Sequence, residues 1–246
     1  MTDYLLFRLY GPMAAWGDIA VGEFRPTFGH PSKSAVLGMV AAALGIRRDE
    51  ETSQQAIASG YALAVRVEVP GTPLRDYHTV QVPPASTSRV FATRKDELAT
   101  QRENLGTILS SRDYRCDAVY TVCLWPTTAS LPQSLPQLAA ALANPVFTLY
   151  LGRKSCPMAL PLQAQVVEAS NLREAFRNAR FHDAQFLEGL SRPGSVEVYW
   201  EGDEASGFQT VHTIERRDAF TSRRRWQFTV RTERYATETA LEKQEG

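Results

Sequence analysis

A chain of 246 residues, with 27 Lys and Arg against 27 Asp and Glu, can bury one large core or two small ones, and its zero net charge announces no nucleic-acid partner. No apolar run is long enough to span a membrane, and the N-terminus lacks a signal peptide's basic and apolar regions, so a cytoplasmic protein is expected. The 3 cysteines, Cys116, Cys123 and Cys156, form no CxxC pair and no Asp/Glu pair has metal spacing; reduced thiols, no metal and no cofactor are expected.

Tyr4 to Tyr10 alternates weakly and is rich in large apolar residues, which predicts a central strand; Gly11-Pro12 ends it. A loop runs to Pro31. Val36, Met39, Val40, Ala43 and Leu44 then recur at helical spacing, with Gly38, Ala41 and Ala42 keeping the adjoining face small. Ser32 or Ser34 can cap this helix, and Gly45 can end it. Arg25, His30 and Lys33 lie before or within its first turn, where free N–H groups favour an anion; the bland alternative is a core helix with a solvated entry loop. Glu50 to Ser59 predicts a short helix, and Tyr61 to Val69 alternates with period two as a strand.

After Pro70-Gly71 the pattern decays into a Ser/Thr-rich, basic stretch carrying Arg89, Arg94, Lys95, Arg102, Arg112 and Arg115. An insertion this long, about 81–113 at its centre, reads as a functional or disordered loop. Asp117 to Trp125 is the next strand, Pro136 to Ala143 a helix, Phe147 to Pro157 a turn around Gly152, and Leu160 to Glu168 a strand. The order through 168 is βαββαβ, which predicts an α+β, ferredoxin-like domain over 1–168, the layout shared by the RNA-recognition fold. A small β-rich C-terminal subdomain over 169–246 follows, with helical composition at 171–180 and short strands near 196–201, 209–214 and 226–232.

Three stretches can carry chemistry. In YLGRKSCP (150–157), Gly152 lets backbone approach a phosphate, Arg153 can fork onto one, Lys154 adds a point charge, Ser155 can donate, and Tyr150 can stack on a base. The alternative is a solvated turn with Tyr150 in the core. LRDYHTV (74–80) sets His78 among Arg75, Tyr77 and Thr79, where a histidine can act as general base on a ribose 2′-OH. Histidines near RNA more often bond phosphate or pack. Glu215 to Arg234 holds seven arginines against three acids, so balanced totals can hide a basic face. Its Arg223-Arg224-Arg225 run either meets phosphate or solvates a strand edge. Trp16, Trp125 and Trp200 are expected in the core.

The stretches LYGPMAAWG (9–17), LG (37–38), LGIRRD (44–49), LRDYHTV, RDYRCDAVYTVCLW (112–125) and YLGRKSCP occur together and in order. Together they resemble the CasD family, subunits at the foot of the type I-E CRISPR surveillance complex Cascade, within the wider RAMP group of RNA-binding proteins. The resemblance implies a modified RNA-recognition fold with a thumb between its second and third strands. It implies a non-catalytic subunit that caps a backbone of CasC subunits, grips the 5′ handle of the CRISPR RNA, contacts the large subunit CasA, and lies near target DNA at the guide boundary. The RAMP glycine-rich loop has no dense counterpart here; Gly152 is the nearest. Type I-E systems resemble a design in which a separate subunit, CasE, cuts the RNA. The rival reading is a metal-independent endoribonuclease with His78 as base. The RNA-binding set expected is Arg25, Lys33, Arg75, His78, Arg89, Arg94, Arg112, Tyr150, Gly152, Arg153, Lys154, Ser155, Arg223 and Arg224, with no catalytic residue.

Overall fold

The computed structural model describes residues 1–85, 90–99, 102–202 and 206–239. In chain order the elements are β1 (Thr2–Tyr10), β2 (Met13–Ala14), β3 (Phe24–Arg25), α1 (Lys33–Ala43), α2 (Glu51–Gly60), β4 (Tyr61–Val69), β5 (Thr72–Val82), α3 (Arg94–Leu98), β6 (Gly106–Cys116), β7 (Val119–Pro126), α4 (Leu135–Ala143), β8 (Gln165–Ala169), α5 (Leu172–Asn178), β9 (Ser195–Trp200), β10 (His212–Ser222) and β11 (Gln227–Thr239). The main sheet has seven strands in the order β10-β11-β9-β4-β7-β1-β8. Its β8-β1-β7-β4 portion is the ferredoxin arrangement, with the first and third strands central. The C-terminal strands continue the same sheet, because β9 pairs with β4 from Ala64↔Trp200 to Val67↔Glu197. The last strand of the ferredoxin unit starts at Gln165, later than its apolar composition implied; Pro161 and the left-handed Gln163 (φ 50°) precede it.

Alternation along the strands splits the core into two faces. Leu5, Phe7 and Leu9 of β1 and Tyr120, Val122 and Leu124 of β7 meet Val36, Val40, Leu138 and Leu142 of α1 and α4. Tyr4, Leu6, Cys123, Trp125 and Trp200 line the opposite face, which α5 covers with Leu172, Ala175 and Phe176. The sheet face through which RNA-recognition folds usually read bases is therefore sealed here. Trp16, Trp125 and Trp200 are buried, as their setting in the sequence implied.

The segment from residue 72 to 116 is the main departure from the sequence reading. Its two ends are strands: β5 and β6 pair over eleven positions, from Thr72↔Cys116 to Val82↔Gly106. Both faces of this hairpin are largely wet, so the apolar alternation that reveals a half-buried strand is missing. At its root Gly71 adopts φ 67°, and a Cβ there would collide with the Cys116 carbonyl oxygen. Toward the tip, α3 is held by a capping box between Thr93 and Asp96. On the other side of β6, β2 and β3 complete a small second sheet.

A buried ion network joins the C-terminal hairpin to the start of α1. Ser32 caps α1 by accepting from the Ala35 N–H at 3.1 Å, and the Lys33 N–H donates to Asp218 Oδ2 at 2.8 Å. The anion at this helix start is the protein's own carboxylate. Lys33 Nζ lies 2.8 Å from Glu201. Arg231 contacts Asp218 at 2.5 Å, Glu201 at 3.3 Å, and Glu233. His30 stacks on Tyr199 at 3.8 Å, its Nε2 stands 3.2 Å from Glu233, and Arg216 Nη1 reaches its Nδ1 at 2.9 Å. The same Nδ1 also lies 3.1 Å from the Pro31 carbonyl oxygen, so the ring is held from both nitrogens. The sequence reading placed Arg216 and Arg231 on a basic surface; both are committed inside.

Burial, above all, lowers the His30 pKa from its ordinary 6.5. Burial alone would raise the Glu233 carboxyl, but the His30 hydrogen bond and the charges of Arg231 and Arg216 outweigh it and bring it from 4.5 to about 2. Both groups bind protons less readily in the folded chain than in the unfolded one. Their stabilisation is complete above the unfolded values and is lost as the pH falls from each of those toward the lower folded one. The melting temperature is expected to hold above pH ~7, to fall as the pH drops below the unfolded histidine value of ~6.5, and to fall further below pH ~4.5. Thermal unfolding across this range checks it; a flat profile between pH ~7 and ~5 would contradict a neutral, buried His30.

Candidate nucleic-acid interface

The turn from Tyr150 to Pro157 is anchored from within. Leu151 and Cys156 are buried, the Leu151 N–H donates to the Cys156 carbonyl at 2.8 Å, and the Ala15 N–H donates to the Leu151 carbonyl at 3.0 Å. Gly152 adopts φ 84°, and a Cβ there would run into the Ala15 carbonyl oxygen. No other residue type fits this close approach. Lys154 and Ser155 are left exposed on the outside of the turn.

On one side of the turn lies the root of the hairpin. Register places Arg112 directly opposite both Asp76 of β5 and Arg25 of β3, so these side chains share a face, and His78 is two residues further along it. Arg153 joins this face: its guanidinium lies 4.7 Å from the Tyr114 ring centroid and donates to the Asp113 carbonyl at 3.3 Å and the Arg25 carbonyl at 3.2 Å. Two of its donors are thus used to tie β3 to β6, and the residue as a whole is half-buried. Arg25 itself is exposed and donates to the Gly22 carbonyl at 2.5 Å. The His78 ring nitrogen Nδ1 is 3.2 Å from Asp76 Oδ2, in an open, solvent-screened pair.

Arg75 points to the other face of the hairpin, where it forks onto Asp113 at 2.8 and 3.2 Å and lies 4.8 Å from the Phe24 ring centroid. Arg94 pairs with Glu97 at 2.5 Å and donates to the Gln81 carbonyl. Arg89 lies outside the described residues. Lys33 belongs to the internal network.

On the other side of the turn lies a groove against α1. Tyr150 and Gly152 line it together with Ser34, Gly38, Arg48 and Trp226. Arg223 crosses it, donating to the Ser34 carbonyl and lying 4.6 Å from the Phe220 ring centroid. Arg223, Arg224 and Arg225 occupy the turn between β10 and β11, not a strand edge, and Arg224 is exposed. Tyr150 is half-buried on the groove wall, between the two positions considered for it from sequence. The structure thus gathers Arg25, His78, Arg112 and Arg153 on one surface, and Tyr150, Gly152 and Arg223 on an adjoining one. Sequence reasoning passed over Arg48 as a binding residue; its partner Trp226 is 178 positions away, and no local pattern links them. Among the described residues, no cluster of three or more His, Cys, Asp or Glu is placed to hold a metal ion, and no helix is long and apolar enough to cross a membrane.

Comparison with known proteins places this geometry. Residues 4–233 match the family model described as CRISPR-associated protein (Cas_Cas5). Over 186 residues the chain is 38% identical to the CRISPR system Cascade subunit CasD of Escherichia coli (strain K12), covering 72% of this chain and 77% of that protein. A chain of a CRISPR RNA-guided surveillance complex superposes with a TM-score of 0.64 at 26% identity, covering 96% of this chain and 90% of the other. The crystal structure of a Cas protein shares the fold, with a TM-score of 0.60 at 24% identity over 96% of this chain and 95% of the other. A match that spans residues 4–233, with 38% identity to a relative over 72% of the chain, makes the chain a member of the CRISPR-associated Cas5 family.

Proposed function

We propose that this protein is a non-catalytic subunit of a Cascade-type surveillance complex that holds the 5′ handle of the CRISPR RNA in the cytoplasm. The observation that carries the reading is the convergence of Arg25, Arg112 and Arg153 at the root of a long hairpin, beside the exposed Lys154. Cations on one face of a two-stranded ribbon can follow a phosphate backbone without reading sequence. The E. coli relative is a Cascade subunit by name, which supports placing the chain in such a complex. The hairpin is the thumb: it lies against a neighbouring CasC subunit and marks the boundary between handle and guide, near target DNA, while CasA docks alongside. Recognition of the target is left to guide pairing.

Purified chain is expected to bind single-stranded repeat RNA with affinity that falls steeply with salt, because each neutralised phosphate releases counterions. Arg112→Ala with Lys154→Ala should flatten the slope of log affinity against log salt by about 0.7 for each contact removed. A slope unchanged in that double variant would remove this surface from the RNA path. His78→Ala should leave RNA maturation unchanged; accumulation of uncut precursor would instead give His78 the role of a base.

A further inference from the structure

The seven-stranded sheet ends unevenly at its C-terminal side. β11 runs on to Thr239, and its pairing with β9 is regular from Arg234↔Trp200 to Thr239↔Ser195. On its other side β10 begins only at His212, opposite Tyr235. Successive residues of a strand turn their N–H and C=O groups to opposite sides. The Tyr235 carbonyl accepts from the Val211 N–H at 2.8 Å, on the β10 side. The backbone groups of Thr237 and Thr239 therefore point the same way, where among the described residues no other backbone group meets them.

This open edge lines a cleft of about 610 Å³, in which Thr237 and Glu238 share the walls with Arg173 and the 207–211 stretch. The stretch is fixed in place. Gly207 adopts φ 79°, and a Cβ there would stand 2.6 Å from Asn171 Oδ1. The Arg173 N–H donates to the Ser206 carbonyl at 2.9 Å, and the Phe208 ring lies 5.6 Å from that of Trp200. The chain upstream of β10 is thus held off the end of β11 instead of closing it, and Val211 is left exposed. The cleft also has a charge preference. Arg173 Nε lies 2.7 Å and Arg177 Nη2 3.0 Å from Glu238 Oε1, so two guanidiniums share one carboxylate. The Arg173 side chain is 40% exposed, and among the described residues its Nη1 and Nη2 make no hydrogen bond. A fork with spare donors beside a net positive cluster suits a carboxylate.

We propose that this cleft takes an extended acidic segment of a partner protein, which joins the sheet as a strand beside the end of β11 and sets a carboxylate on Arg173. A row of N–H and C=O groups is the complement of another strand, and main-chain bonds of this kind carry the affinity of strand addition. A phosphodiester backbone answers the N–H groups but offers no donor to the C=O groups, so the edge favours a peptide over a nucleic acid. None of the cations gathered at the hairpin root lines the cleft, which makes it a surface apart from the one assigned to RNA.

The probe is a fluorescein-labelled hexapeptide of alternating Thr and Val that ends in two Glu residues, added to the full chain. Fluorescence anisotropy should show it binding, and N-methylation of its alternate backbone amides should weaken it about tenfold or more, as the loss of two hydrogen bonds implies. Gln in place of the two Glu residues should weaken it roughly 2- to 5-fold, the range of a half-exposed ion pair. Thr237→Pro removes an outward N–H at an edge position, where proline is tolerated, and should weaken the parent peptide about fivefold. Nuclear magnetic resonance should show the Thr237 amide exchanging more slowly with solvent once the peptide is bound. No binding of the parent peptide, or equal affinities of the parent and N-methylated peptides, would overturn strand addition. That comparison is made in the unsubstituted chain and stands whether or not Thr237→Pro folds. Equal affinities of the Glu and Gln peptides would overturn the carboxylate on Arg173. A uridine octamer that displaced the peptide and protected Thr237 in its place would assign the cleft to nucleic acid and overturn the proposal as well.

Discussion

Replacing Gly152 by alanine is expected to destabilise the protein by more than ~3 kcal/mol and to abolish RNA binding together with the fold of the turn. Two costs add. A residue with a Cβ at φ 84° is strained by about 1–2 kcal/mol. That Cβ would also run into the Ala15 carbonyl oxygen, which cannot simply swing aside, because Ala15 and Leu151 are joined by a backbone hydrogen bond and both are buried. Relief therefore requires the turn to lift off, taking Arg153 away from β3 and β6. For a chain of this size the melting temperature should fall by roughly 6–12 °C or more. Gly189→Ala is the matched control: no atom lies within 4 Å of its Cβ position, and the change should stay within about 0.5 kcal/mol. Calorimetry on both variants decides. A near-neutral Gly152→Ala would mean that the turn does not need glycine's left-handed conformation.

Arg231→Met should be of similar size for a different reason. The guanidinium faces Asp218, Glu201 and Glu233, three carboxylates that burial would otherwise penalise. Taking away the shared cation leaves buried negative charge uncompensated, which typically costs about 3–5 kcal/mol. Methionine keeps most of the volume, so packing loss is a minor part of the change. Denaturant unfolding should show a lower midpoint with an unchanged slope. Arg224→Met, on the exposed turn of the same hairpin, should change stability by no more than about 0.5 kcal/mol. Equal effects at the two positions would show that the network contributes nothing specific.

The contrast between those two arginines explains what was legible in the sequence. Elements with apolar residues to bury announced themselves: β4 and β7, covered on both faces, are rich in β-branched and aromatic residues, α1 recurs at helical spacing, and together they define the ferredoxin core. The hairpin from Thr72 to Cys116 did not, because strands wet on both faces need no apolar period. Arginines are equally ambiguous in one dimension. Arg216 and Arg231 read like Arg224 and Arg225, yet two are locked to carboxylates supplied by other strands and two face solvent. The signal at Gly152 was local, since a glycine before two cations hints at close approach. The Arg48 and Trp226 grouping was not, since it exists only once α1 and the final hairpin are packed together.

That packing has a consequence for how the protein comes into being. The contact that fastens the last strands to α1, Lys33 to Asp218, spans 185 residues. A chain emerging from the ribosome can complete the β8-β1-β7-β4 unit and its helices well before β10 and β11 appear, since domains fold as units from the N-terminal side. The turn at Gly152 and the cationic hairpin root belong to that early unit. The groove against α1 lacks Arg223 and Trp226 until the final hairpin adds beyond β9. A nascent chain should therefore acquire its cationic hairpin root first and its aromatic groove last, so a product truncated before residue 195 would present the cations of the root without the groove beside α1.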